Sequence, residues 1–275
     1  MKRINLQLIR NKEVFKIVKV HVLASGSAGN AIFLKDEQTS ILIDAGISAR
    51  RIKNSLAAIG TAIEDIDGVF ITHEHSDHIK GLPTLLKKYR LPVYTRPATW
   101  DAMPFKDPLP NECYRGLPDS VDLGSVKVES FSISHDAVDP VGFNFFCRDN
   151  KCSVATDLGF VTDQVKKALA LSDILVLESN HDTEMLEKGS YPWSLKKRIM
   201  SNRGHLSNID AAWTIARLPR KAHTHVFLAH MSKENNRPEL ARETVGNILS
   251  AQGLRLGTDV SLHLTFPDQT ASLAE

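Results

Sequence analysis

The chain has 275 residues, 42% of them hydrophobic and 24% charged, with a net charge of +2 when the histidines are neutral. That composition belongs to a folded globular protein with a substantial core, and the small charge excess does not by itself mark a nucleic-acid binder. No run of about 18 apolar residues marks a membrane span and no basic-then-apolar leader opens the chain, so no membrane association and a cytoplasmic location are expected.

Taken in chain order, residues 1–15 are an N-terminal extension, and apolar periodicity predicts strands over 17–23, 31–35 and 40–43. A glycine-rich turn at 25–30 reads as a tight hairpin or as a backbone cradle for phosphate, the hairpin being the simpler reading. A helix follows over 49–59, capped by Ser48, with Ile52, Leu56 and Ile59 on one face. Next come a strand over 68–71, a helix over 78–89, a strand over 92–95 and a Pro-rich surface loop over 103–118. Strands at 126–133, 141–147 and 152–155 place Phe143, Phe145, Phe146 and Cys152 in a core. A helix over 161–171, a strand over 174–177, a helix over 208–217, a strand over 226–229, a helix over 238–252 and a strand over 260–266 complete the chain. No linker or repeat interrupts them, so residues 1–275 read as one α/β domain of sheets flanked by helices. Cys113, Cys147 and Cys152 leave an odd thiol and form no C-x-x-C pair, which argues against a disulfide framework.

The segment Thr72-His73-Glu74-His75-Ser76-Asp77-His78 directly follows the apolar strand at 68–71. Three imidazoles and two carboxylates there are the ligand types that zinc, iron and manganese accept, and histidine and carboxylate sites tend to keep a position for water. More such residues end other predicted strands: His135, Asp157, Glu178 and His230. One alone reads as a turn or cap residue. Together they repeat a pattern, because ligands in α/β folds gather beyond one set of strand ends.

The spacing His73-x-His75-x-Asp77-His78 resembles the signature of the metallo-β-lactamase superfamily, and the resemblance runs from Ser25-Gly26-Ser27-Ala28-Gly29-Asn30 to Leu228-Ala229-His230-Met231-Ser232. It implies a four-layer αββα sandwich and two divalent metal ions per chain, zinc or manganese, with iron also suited. It further implies that His73, His75 and His135 hold one ion, that Asp77, His78 and His230 hold the other, and that Asp157 bridges them. A metal-bound hydroxide would be the nucleophile, with Asp77 orienting the water. β-Lactamases of this fold commonly use a cysteine near the position of Asp157, so an antibiotic hydrolase is disfavoured.

Within the superfamily, Glu178-Ser179-Asn180-His181-Asp182, Tyr191-Pro192-Trp193 and Gly204-His205-Leu206-Ser207-Asn208 resemble the YycJ (WalJ) branch of DNA exonucleases that start from 5′ ends. Glu178 and the segment around His205 are also similar to paired motifs in transfer-RNA 3′-processing endonucleases. The implied roles are catalytic: Glu178 keeps His205 charged, and His205 gives its proton to the leaving oxygen. A plainer alternative has Gly204-His205 cap a helix that starts at Ser207 or Asn208. His181, Ser207 and Asn208 are candidate substrate contacts. The expected partner is DNA, with RNA as an alternative, and the runner-up activity is hydrolysis of a small ester, thioester, lactone or cyclic phosphodiester at the same metals. The basic clusters Arg50-Arg51-Lys53 and Lys196-Lys197-Arg198 would follow a phosphate backbone if they border the site.

Overall fold

The computed structural model describes residues 18–105 and 109–273; the expected N-terminal extension lies outside the described residues. The strands form two sheets, buried on both faces at their centres and partly exposed in Ser120–Leu123, Val126–Ser132 and Val260–Leu264. The first holds β1 (Lys19–Ala24), β2 (Ala31–Lys35), β3 (Ser40–Ile43), β4 (Gly68–Phe70) and β5 (Val93–Tyr94) in that order, with the short strand Ala271–Leu273 beside β1. The second holds β6 (Ser120–Leu123), β7 (Val126–Ser132), β8 (Val141–Cys147), β9 (Asn150–Ala155), β10 (Ile174–Glu178), β11 (Thr224–Ala229) and β12 (Val260–Leu264), each paired with its neighbour in sequence.

Alternating side chains explain the layering. Val20, Ile32 and Phe70 of the first sheet pack against Val128, Phe143 and Val176 of the second, and the Phe70 ring stands edge-on to Phe143 and Phe145 at 5.6 and 5.9 Å. On the outer face of the first sheet, Leu23, Phe33 and Val69 pack against α1 (Ala49–Ala58), through Ile52 and Leu56, and against the helix Leu82–Tyr89. On the outer face of the second, Ala155, Leu175 and Val226 meet the helices Asp163–Leu169, Asn208–Arg217 and Pro238–Ala251 through Val165, Ile215 and Val245. The result is the expected αββα sandwich, in which each fully buried Phe or Leu contributes about 1.5–3 kcal/mol relative to exposure. Among the described residues no helix is long and apolar enough to cross a membrane.

Strand direction positions the site. Strands β3, β4 and β5 run parallel, as do β9 through β12, so the residues that follow their C-terminal ends collect at one edge of each sheet.

Several elements differ from the sequence expectation. The helix expected over 78–89 is broken into α2 (Ser76–Ile79) and α3 (Leu82–Tyr89). Gly81 N–H donates to the Ala45 carbonyl at 2.7 Å, and a Cβ at Gly81 would stand 2.1 Å from the Ile47 carbonyl oxygen, so the chain kinks to pass the loop after β3. The helices α4 (Pro97–Ala102), α5 (Asp163–Leu169), α6 (Thr183–Lys188), α7 (Trp193–Ile199), α8 (Asn208–Arg217) and α9 (Pro238–Ala251) follow; α4, α6 and α7 have no counterpart in the expected elements, nor do β6 and the strand Ala271–Leu273. In the described part of the stretch at 103–118, Met103, Leu109 and Cys113 are buried in the core. The three cysteines are buried free thiols.

Candidate metal centre and active site

The loop after β4 carries His73 and His75, and α2 presents Asp77 and His78 from its first turn. His135 follows β7, Asp157 follows β9, Glu178 ends β10 and His230 follows β11. The two sheet edges bring these residues together. His73, His75 and His135 offer ligand atoms within 4.8 Å of one another, as do Asp77, His78 and His230, and as do His73, His78 and Asp157. The seven residues expected from the resemblance to share a site therefore lie in one cluster. Glu74, the other carboxylate of the motif, instead accepts a hydrogen bond from the Val138 N–H at 2.9 Å.

The imidazoles are oriented by their second nitrogens. His78 Nδ1 lies 2.7 Å from Asp44 Oδ2, and His230 Nδ1 lies 2.7 Å from Glu178 Oε1. His135 Nδ1 faces the Gly204 carbonyl at 3.2 Å. Ionised carboxylates and carbonyls only accept, so in each neutral ring the proton sits on Nδ1 and the Nε2 lone pair is left to the cluster. Thr72 Oγ1 donates to Asp44 at 3.0–3.1 Å and so accepts from His73 Nδ1 at 3.0 Å, which frees His73 Nε2 in the same way. His73 Nε2, His230 Nε2 and Asp157 Oδ2 are buried without a hydrogen-bond partner; Asp157 Oδ2 stands 3.1 Å from His78 Nε2, which carries no proton in that tautomer. Unpartnered buried nitrogen and oxygen atoms are costly, and their convergence fits a pair of divalent metal ions.

The charged groups of the cluster act strongly on one another. Burial, together with the neighbouring imidazoles, drives the His73 pKa well down, and burial also lowers that of His135. For His78 and His230 burial pushes the same way, but Asp157 and the carboxylates beside it overcome it and raise both. Burial alone would raise Asp77 and Asp157, yet the imidazoles hold both carboxyls below their usual range.

Three of these positions are strained. Asp44, Asp157 and His230 adopt left-handed backbone conformations, with φ of 59°, 57° and 53°, each costing about 1–3 kcal/mol in a residue other than glycine, a cost that clusters at functional sites. The turn at 25–30 is a hairpin that braces His230, Asp77 and His78. Ser25 Oγ accepts the His230 N–H at 2.7 Å, Asn30 N–H donates to the Asp77 carbonyl at 2.8 Å, and Asn30 Nδ2 is 3.1 Å from His78 Nε2. Gly46 closes the brace: a Cβ there would stand 1.6 Å from the Asp77 carbonyl oxygen.

Glu178 is fully buried, and both its oxygens are filled. Oε1 accepts from His205 Nδ1 at 2.9 Å and from His230 Nδ1, while Oε2 accepts the N–H groups of Leu158 and Leu206 at 2.7 and 3.1 Å. Burial works to raise its pKa, but His205 and the hydrogen bonds from His205 and His230 hold it at about 2. Conversely, burial works to lower His205, and the Glu178 charge outweighs it and raises that imidazole. His205 keeps Nε2 free for a reacting group.

The remaining expected contacts are placed differently. Ser207 caps α8, accepting the Asp210 N–H at 3.1 Å and donating to Asp210 Oδ2 at 2.6 Å. Asn208 is buried, its Oδ1 accepting from Ser179 Oγ and Asn236 Nδ2 and its Nδ2 donating to Asn236 Oδ1. Both side chains are thus committed to the fold, not turned to a substrate. His181 is buried, and its Nδ1 has no hydrogen-bond partner. In the basic cluster of α7, Lys196 is buried and donates to the Glu187 and Gly189 carbonyls, Lys197 lies over the Trp193 ring, and only Arg198 reaches the site, paired with Asp136. Asp44, Ser25 and Asn30 are site residues that the sequence reading missed. Asp44 carried a readable signal, a carboxylate directly after the strand at 40–43.

The model of the metallo-beta-lactamase superfamily matches residues 24–205. The chain is 41% identical over 249 residues to the exodeoxyribonuclease YycJ of Bacillus anthracis, covering 90% of this chain and 94% of that protein. It is 40% identical over 268 residues to the exodeoxyribonuclease WalJ of Streptococcus pneumoniae, covering 94% and 97%. Among solved structures, the metallo-beta-lactamase fold protein YhfI of Bacillus subtilis superimposes with a TM-score of 0.69 at 15% identity, covering 92% of this chain and 99% of that one. The short form of human tRNase Z gives 0.60 at 19% identity, covering 92% and 98%. The chain belongs to the metallo-beta-lactamase superfamily and, within it, to the branch of the YycJ and WalJ proteins.

Proposed function

We propose that the protein is a dinuclear metal-dependent phosphodiesterase that removes nucleotides from the 5′ end of DNA. The observation that carries this reading is the Glu178–His205 pair, an imidazole held 2.9 Å from a buried carboxylate that raises its pKa, at the edge of the candidate metal cluster. A phosphodiester needs what this pair supplies, a proton for a leaving alkoxide. The names of the two relatives matched along almost their whole length support DNA as the substrate.

In this reading His73, His75 and His135 would hold one ion and Asp77, His78 and His230 the other, with Asp157 shared between them; zinc or manganese suits the donors, with iron also accommodated. When bound, such ions would lower the pKa of a water and offset the charge of the phosphate. Asp77 accepts a hydrogen bond from the attacking water and orients it. The water oxygen bonds to phosphorus, releasing one proton to solvent, as the P–O3′ bond breaks, and His205 Nε2 gives its proton to O3′. Glu178 holds His205 in the orientation and charge state for that transfer. The three free thiols suit the expected cytoplasmic location.

The test is digestion of end-labelled single- and double-stranded DNA by metal-loaded protein, comparing wild type with Asp77→Ala and His205→Ala. Nucleotide release from the 5′ end that is lost in Asp77→Ala, and slowed in a metal-replete His205→Ala, is expected. Metal-loaded wild type that cleaves no polynucleotide but hydrolyses small esters overturns the reading.

A further inference from the structure

A cavity of about 220 Å³ opens beside His205. Tyr191, Leu195 and Ile199 line it from α7 and the residue before its cap, and Ser27 of the bracing turn and Ser232 line it too. Arg198 and Asp136 are also in its wall. Arg198 donates to Asp136 through Nε, which leaves its two terminal nitrogens for an incoming oxyanion.

We infer that this cavity receives the 5′-terminal nucleotide of the substrate, with Arg198 binding its terminal phosphate. The inference rests on the exonuclease reading and goes beyond it. When the P–O3′ bond breaks near a 5′ end, the leaving group is the 3′ oxygen of the terminal nucleotide. The proton donor must stand beside that oxygen, so what the oxygen carries lies against His205. The space next to His205 is walled on one side by α7. Its contents are those a nucleotide needs: an aromatic ring and two aliphatic side chains for a base, hydroxyls for a sugar, and one guanidinium, the side chain whose planar fork suits phosphate. The Arg198–Asp136 pair has a second consequence. It neutralises a carboxylate that would otherwise repel the phosphate and holds the guanidinium in place before the substrate arrives.

Calorimetric titration of the metal-loaded protein with deoxythymidine 5′-monophosphate tests this. Wild type is expected to bind it, Arg198→Ala to bind at least tenfold more weakly, and Leu195→Trp, which fills the cavity, to bind not at all, each variant with wild-type metal content. Unphosphorylated deoxythymidine should bind wild type as weakly as the mononucleotide binds Arg198→Ala. Mononucleotide affinity unchanged by Arg198→Ala, or unchanged by a folded, metal-replete Leu195→Trp, overturns the inference. On DNA, wild type should prefer 5′-phosphorylated over 5′-hydroxyl ends and Arg198→Ala should lose that preference. If wild type digests DNA and both variants behave like it, this inference falls and the exonuclease reading stands. If metal-loaded wild type digests no DNA, that reading falls, and the mononucleotide titration still decides the cavity.

Discussion

Asp44 Oδ2 stands 2.7 Å from His78 Nδ1, and the same carboxylate accepts the Thr72 N–H at 2.9 Å and the Thr72 hydroxyl. One buried group therefore sets the tautomer of one imidazole directly and of His73 through the threonine. Asp44→Ala is expected to weaken metal binding about 10–100-fold, the usual effect of losing a partner that orients a histidine ligand. It should also destabilise the fold by about 1–3 kcal/mol through the unpaired Thr72 N–H. Chelator competition and thermal melting read the two effects. Wild-type metal affinity in Asp44→Ala would mean that His78 needs no orienting partner.

Glu178→Gln separates charge from shape. The Glu178 charge raises the His205 pKa against burial, so removing it lowers that pKa and the acid form disappears at lower pH. The alkaline limb of kcat/KM should therefore move to lower pH, while the acid limb is set elsewhere. The amide –NH2 would also meet the N–H groups of Leu158 and Leu206, donor against donor, and lower stability by about 1–3 kcal/mol. An alkaline limb at its wild-type position in a metal-replete variant would remove His205 as the acid.

Metal removal should be visible in stability as well as in activity. A ligand present at about 1,000 times its dissociation constant stabilises by about 4 kcal/mol, and each kcal/mol is worth about 2–4 °C in a domain of this size class. Chelation is expected to lower Tm by about 10 °C, with recovery on adding zinc or manganese. An unchanged Tm after verified metal loss would argue that the cluster closes on itself without ions.

Ser207→Ala should cost about 1 kcal/mol of stability, the value of a helix cap, and leave KM for DNA unchanged. Steady-state digestion with melting curves checks both. A raised KM at wild-type stability would return Ser207 to the substrate surface.

Much of the candidate site was legible because the residue types suited to metal ligands are few and stand at strand ends. His73, His75, Asp77 and His78 sit in one short segment, and His135, Asp157 and His230 each follow an apolar run. The sandwich was legible because its strands alternate or are continuously apolar. What escaped depends on contacts between distant segments. The serine that holds the His230 N–H is Ser25, and no local pattern joins positions at opposite ends of the chain. The strand Ala271–Leu273 exists because β1 offers it an edge, and Gly81 breaks a periodic helix because Ala45 and Ile47 lie against it. Ser207 and Asn208 were drawn toward the substrate by their nearness to His205 in sequence, while capping and a buried amide network in fact occupy them.

Neither sheet owns a complete half of the cluster. His73, His75, Asp77 and His78 belong to the first sheet's edge, and His135, Asp157 and His230 to the second's, so each proposed ion would be gripped from both sides of the core. The ions would then serve as rivets across the seam of the sandwich. A slight parting of the sheets would open the grip long before either sheet lost its hydrogen bonds, and catalytic competence would vanish while the secondary structure was still whole.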